Sequence, residues 1–81
     1  MELEKLVDII VAFKPAVDEQ LLLSSQHLID DGILDSLDIL QLIVTLESSC
    51  SVKIDYAALS RNDFISIDNI CQMVKRFEGT L

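Results

Sequence analysis

The residues best suited to chemistry in this chain are crowded into Asp30-Asp31-Gly32-Ile33-Leu34-Asp35-Ser36-Leu37-Asp38. Ser36 is the hydroxyl within this acidic stretch, and an apolar run of helical length begins directly behind it at Leu37. That order places the serine at the mouth of a helix, in solvent, with carboxylates on both sides. A modifying enzyme needs a hydroxyl it can reach and a rigid element beside it to grip, and a helix N-terminus supplies both. The positive end of the helix also tolerates a new phosphodiester. The plainer role for Ser36 is that of a helix cap, worth roughly 1 kcal/mol. Capping alone gives no reason for the acid cluster or for the apolar stripe beside it.

Other chemistry is poorly served by these residues. A calcium loop with Gly32 at its sixth position would need ligands at His27 and Ile29, which do not suit the ion. A triad of Ser36, His27 and an aspartate would need a pocket that a chain of 81 residues can hardly build. His27 reads as an ordinary loop residue. Cys50 and Cys71 do not form a close pair, and one histidine gives no ligand cluster. Both cysteines fall on apolar faces and read as small buried hydrophobes, with a disulfide between them unneeded.

The elements that must hold Ser36 in place follow from composition and period. Eighty-one residues make at most one domain, 1–81. A core of this size yields only roughly 3–5 kcal/mol of net stability, so dense helix packing has to replace metal or disulfides. The net charge is −8, and the acids are unevenly placed. No Lys or Arg occurs between Lys14 and Lys53, whereas Asp18, Glu19, Asp30, Asp31, Asp35, Asp38 and Glu47 all do. Such a field repels phosphate backbones, which excludes nucleic acid, and draws basic partners inward. The start Met1-Glu2-Leu3-Glu4 lacks the basic head of a signal peptide, and no apolar run is long enough to span a bilayer. A reduced cytoplasmic protein is the simplest expectation.

Leu3, Leu6, Val7, Ile10, Val11 and Phe13 have the spacing of an amphipathic helix that ends near Lys14, ahead of Pro15. Residues 16–35 form a long connection, with local helix around 17–23 and with Leu28, Ile29, Ile33 and Leu34 pinning it to the core. A second helix runs from about Ser36 to Ser49 or Cys50, capped by Asp35 or Ser36. Its core stripe is Ile39, Leu42, Ile43, Leu46 and Cys50. A second stripe of Leu37, Leu40 and Val44 leaves the helix apolar on most faces, so it is either enclosed or offered to something else. Asp55 to Leu59 forms a short helix, Arg61-Asn62-Asp63 returns to loop, and Ser66 caps a last helix that stops at Gly79. The buried face of that last helix is Ile67, Ile70, Cys71, Val74 and Phe77.

The segment Asp31-Gly32-Ile33-Leu34-Asp35-Ser36-Leu37-Asp38 resembles the attachment motif of acyl and peptidyl carrier proteins, which reads Asp-Gly-x-x-Asp-Ser-Leu-Asp and leads into a helix. The resemblance covers nearly the whole chain, through the short helix near Tyr56 to the last helix, reached by way of Phe64-Ile65-Ser66-Ile67. It implies an all-α, acyl-carrier-protein-like bundle of three long helices plus one short helix, with a long first loop. It also implies that Ser36, flanked by Asp35 and Leu37, carries a covalent 4′-phosphopantetheine arm taken from coenzyme A by a phosphopantetheinyl transferase. The cargo, acyl or aminoacyl, would ride on the arm's thiol as a thioester, and the chain would be a monomeric carrier rather than an enzyme. An adenylating ligase or acyltransferase would load it and a downstream synthase or transferase would unload it, docking on Asp38, Leu40, Val44 and Glu47. Gln41, Ser48 and Ser49 depart from the fatty-acid type, which tends to carry acids along this helix, and point to a specialised pathway. Leu59-Ser60-Arg61-Asn62-Asp63-Phe64 looks closer to D-alanyl and peptidyl carriers. The alternative is an acidic helical adaptor in which Ser36 is only a cap.

Overall fold

The computed structural model describes residues 2–78, and among these the regular structure is all helical. Helix α1 spans Leu3–Phe13 and buries Leu6, Val7 and Ile10. Leu3 stays exposed and Val11 and Phe13 are half-buried, so the buried stripe is narrower than the apolar period suggests. The helix stops at Lys14, whose backbone leaves helical geometry (φ −135, ψ 66) because Pro15 follows. α1 packs against each of the other three α-helices, so the core gathers around it.

The long connection is more ordered than its sequence implies. Helix α2, Glu19–Ser24, is short, and the Asp18 carboxylate caps it by accepting from the N–H groups of Gln20 and Leu21. Only Leu22 of the three consecutive leucines is buried, since one turn can aim just one of three neighbours inward. Beyond α2, the Ser25 hydroxyl donates to Asp31 and accepts from the His27 N–H. Leu28 then anchors the loop. Its side chain is 0% exposed, its N–H donates to the Ile65 carbonyl at 3.0 Å, and its carbonyl accepts from Ile33 and Leu34. Leu34 is buried beside it, while Ile29 and Ile33 are half-buried. Gly32 takes a left-handed backbone (φ +75) in open space, so the demand for glycine is conformational and not steric.

Helix α3 runs Ser36–Cys50 and buries Leu42, Ile43 and Leu46, with Ile39 and Cys50 half-buried at the edges. It ends on Ser51, a non-glycine residue in the left-handed region (φ 52). Ser51→Gly is therefore expected to raise stability by about 0.5–1 kcal/mol. At a few degrees of melting temperature per kcal/mol in a domain of this size, thermal melts would resolve the gain.

Val52 and Ile54 drop back into the core. Asp55 caps a single 3-10 turn, Tyr56–Ala58, where a short helix was expected. The segment read as loop after Leu59 is instead a second 3-10 turn, Arg61–Phe64. It forms because Ser60 and Asp63 make a capping box and Phe64 is buried, both of which reward a closed turn. Helix α4, Ile67–Glu78, begins at Ser66, whose hydroxyl accepts from the Asn69 N–H. Its buried face is Ile67, Ile70, Met73, Val74 and Phe77. Met73 takes the place expected for Cys71, which is half-buried. The expected stop at Gly79 lies outside the described residues. The fold class is the expected one, an all-α bundle of three long helices and one short one with a long first loop; the short helix is α2, where local helix was expected, and two 3-10 turns accompany it among the described residues. No helix among the described residues is long and apolar enough to cross a membrane.

Candidate functional site

The site is the first turn of α3. Asp35 occupies the cap position in extended geometry, and one carboxylate oxygen accepts from the Asp38 N–H at 2.9 Å. Asp38 returns the bond, its carboxylate accepting from the Asp35 N–H at 3.0 Å. This reciprocal box settles which residue caps the helix: it is Asp35, not Ser36. Ser36 is the first helical residue, exposed, and among the described residues its hydroxyl has no hydrogen-bond partner. The hydroxyl therefore projects from a turn held by its neighbours.

Asp38 has a further partner. The Lys14 ammonium sits 2.5 Å from one of its oxygens and also donates to the Ile33 carbonyl at 2.7 Å. Partial burial alone would raise the Asp38 carboxyl, but the bonds from Lys14 and from Asp35, with the Lys14 charge, outweigh it and hold the group below the usual aspartate value. A depressed folded value means that this contribution to stability is present above the unfolded value, near ~3.9, and is lost as pH falls through the lower folded one. Acid titration should weaken the turn only below about pH 4.

The stripe of Leu37, Leu40 and Val44 faces solvent, with exposures of 75%, 57% and 57%. It is surface, not core. Beside it an open groove of about 520 Å³ starts at Ser36 and is walled by Ile39, Leu40, Ile43, Phe64 and Arg61. Arg61 is exposed and ion-paired with Asp30.

Glu47 lies farther along α3 and is turned toward its own chain. One carboxylate oxygen accepts from the Ile54 N–H and the other from the Tyr56 hydroxyl, both at 3.1 Å. The bond to Glu47 raises the Tyr56 hydroxyl above the ordinary tyrosine value. Tyr56 is the single tyrosine and the chain has no tryptophan, so its phenolate absorbance reads cleanly. Glu47→Gln is expected to shift that titration downward. The two acids expected to meet partners, Asp38 and Glu47, are thus both engaged within the fold. The role of Lys14 has no local signal in the sequence, because its partner lies 24 residues away.

No known family model matches the sequence. The chain is similar to the D-alanyl carrier proteins of Streptococcus pyogenes serotype M5 (strain Manfredo), serotype M49 (strain NZ131) and serotype M1. Each is 36% identical to it over 53 residues, covering 65% of this chain and 67% of the relative. A small all-helical bundle agrees with that likeness. The chain belongs to the carrier-protein family, and its role is that of a carrier and not of an enzyme.

Proposed function

We propose that the chain holds an acyl or aminoacyl group as a thioester on a 4′-phosphopantetheine arm attached to Ser36, and shuttles it between the enzymes of a biosynthetic pathway. The observation that carries this reading is the Ser36 hydroxyl, exposed and without a hydrogen-bond partner among the described residues, in a turn whose cap is supplied by Asp35. In the attachment step the Ser36 oxygen bonds to a phosphorus of coenzyme A and the pyrophosphate linkage breaks. Adenosine bisphosphate leaves, and the hydroxyl proton passes to the transferase or to solvent. Once attached, the arm supplies a terminal thiol.

The protein's own residues do the positioning. Asp35 fixes the turn, Leu37 flanks the anchor, and the wall of the groove offers the arm an apolar surface beside Ser36. The exposed stripe Leu37, Leu40 and Val44 serves as the docking face for a phosphopantetheinyl transferase, an adenylating ligase or acyltransferase, and a downstream synthase or transferase. Asp38 and Glu47 add negative field to that face while their carboxylates remain held internally, which favours basic partner surfaces. The name of the relatives favours an aminoacyl cargo such as D-alanine. One carrier domain, working as a cytoplasmic monomer, completes the reading.

Intact mass after incubation with coenzyme A and a broad-specificity transferase tests it. One added phosphopantetheine per chain is the expected result. An unchanged mass would leave the acidic adaptor as the better description.

A further inference from the structure

We propose that Lys14 is a positioning residue for the modification of Ser36, acting through the Asp38 carboxylate and the Ile33 carbonyl to hold the first turn of α3 in one geometry. The inference rests on reading Ser36 as the attachment point. It starts from an oddity of the capping box. The usual box pairs a neutral Ser or Thr with Glu or Gln, whereas here two carboxylates, Asp35 and Asp38, face into the same turn. Like charges so close repel, and a phosphodiester on Ser36 would set a third negative group between them.

Lys14 answers that repulsion. Its ammonium reaches the same Asp38 oxygen that accepts from the Asp35 N–H. It is also the last cation in the sequence before Lys53. The second bond, to Ile33, grips the chain on the other side of the serine. One side chain thus spans the turn from Ile33 before Ser36 to Asp38 after it.

The restraint is anchored in the core. The Lys14 N–H donates to the Ile10 carbonyl and its own carbonyl accepts from Val17, so the lysine is fixed to the end of α1, the helix that the others surround. Lys14 makes no bond to Ser36, so it acts only through these neighbours. Without it the two aspartates still cap the helix, but the turn samples more geometries. A transferase needing the hydroxyl in line with phosphorus then meets the productive one less often.

The test uses the full chain as wild type, Lys14→Met, Asp38→Asn and the double variant. Arm transfer from coenzyme A is followed by intact mass to obtain kcat and KM. Amide hydrogen exchange in the first turn of α3 is compared with that of Ile70 and Val74 in α4. Since a misplacement of about 1 Å can cost ~10²-fold and the box itself survives, Lys14→Met should lower kcat about tenfold with KM little changed. Exchange should quicken in the first turn of α3 and stay constant in α4. The double variant should be no slower than Lys14→Met, because both changes break one chain of contacts. Unchanged kcat and exchange would overturn the proposal. So would a rise in KM alone, which would mean that Lys14 touches the transferase, or strictly additive losses in the double variant. A wild type that takes no arm would strike the reading of Ser36, while the exchange data, which need no transfer, would still judge the hold of Lys14 on the turn.

Discussion

Ser36→Ala is expected to abolish acquisition of the arm outright while leaving the melting temperature of the unmodified protein unchanged or slightly raised. The two halves of that result come from different residues. Transfer requires an oxygen at position 36, and alanine has none. Stability requires the cap, and the cap belongs to the carboxylates of Asp35 and Asp38. Alanine is the better helix former and loses no hydrogen bond here, since the Ser36 hydroxyl has no partner among the described residues. Asp35→Ala is the counterpart, costing about 0.5–2 kcal/mol through the lost cap. Mass spectrometry beside thermal melts of both variants separates the roles. A Ser36→Ala protein that melts well below wild type would make the serine a structural residue after all.

Leu28→Ala should come close to unfolding the protein. Removing a fully buried leucine side chain costs about 2–5 kcal/mol, depending on how far the cavity collapses. Leu28 is 0% exposed, and its backbone is also the hub where the first loop meets Ile65, Ile33 and Leu34. A small core has only roughly 3–5 kcal/mol in hand, so one truncation consumes most of the margin. Leu23→Ala is the control, a half-exposed leucine (47%) five residues earlier that should change stability by no more than ~0.5 kcal/mol. Urea denaturation followed by helical circular dichroism would measure both. Equal midpoints for the two variants would show that Leu28 does not anchor the loop.

The parts of this molecule that could be read from residues are those decided locally. The bounds of α3 follow from an aspartate cap and an apolar run, whereas its second stripe could be enclosed or exposed by period alone and only packing places it at the surface. The start of α4 follows from Ser66 in the same way. The turn Arg61–Phe64 was missed although its signal was present, a serine with an acid three residues on, Ser60 and Asp63. Local helix around 17–23 was legible, but three adjacent leucines hid its bounds, because a helix of six residues is too short to show a period. Asp18 at its cap was the better clue. The exchange of Cys71 for Met73 on the buried face of α4 is a choice between neighbouring positions that only packing decides. The double grip of Lys14 and the inward turn of Glu47 depend on where distant segments meet, and no spacing rule reaches them.

The bond from the Leu28 N–H to the Ile65 carbonyl, with Phe64 forming a wall of the groove at Ser36, bears on when the serine becomes a substrate. A nascent chain that has left the ribosome only as far as Asn62 owns every residue of the serine motif, yet lacks the Ile65 carbonyl that holds Leu28 and the Phe64 wall of the groove. Modification during synthesis should therefore wait until the segment leading into α4 has emerged, since only then do Ile65 and Phe64 stand against the loop and the groove.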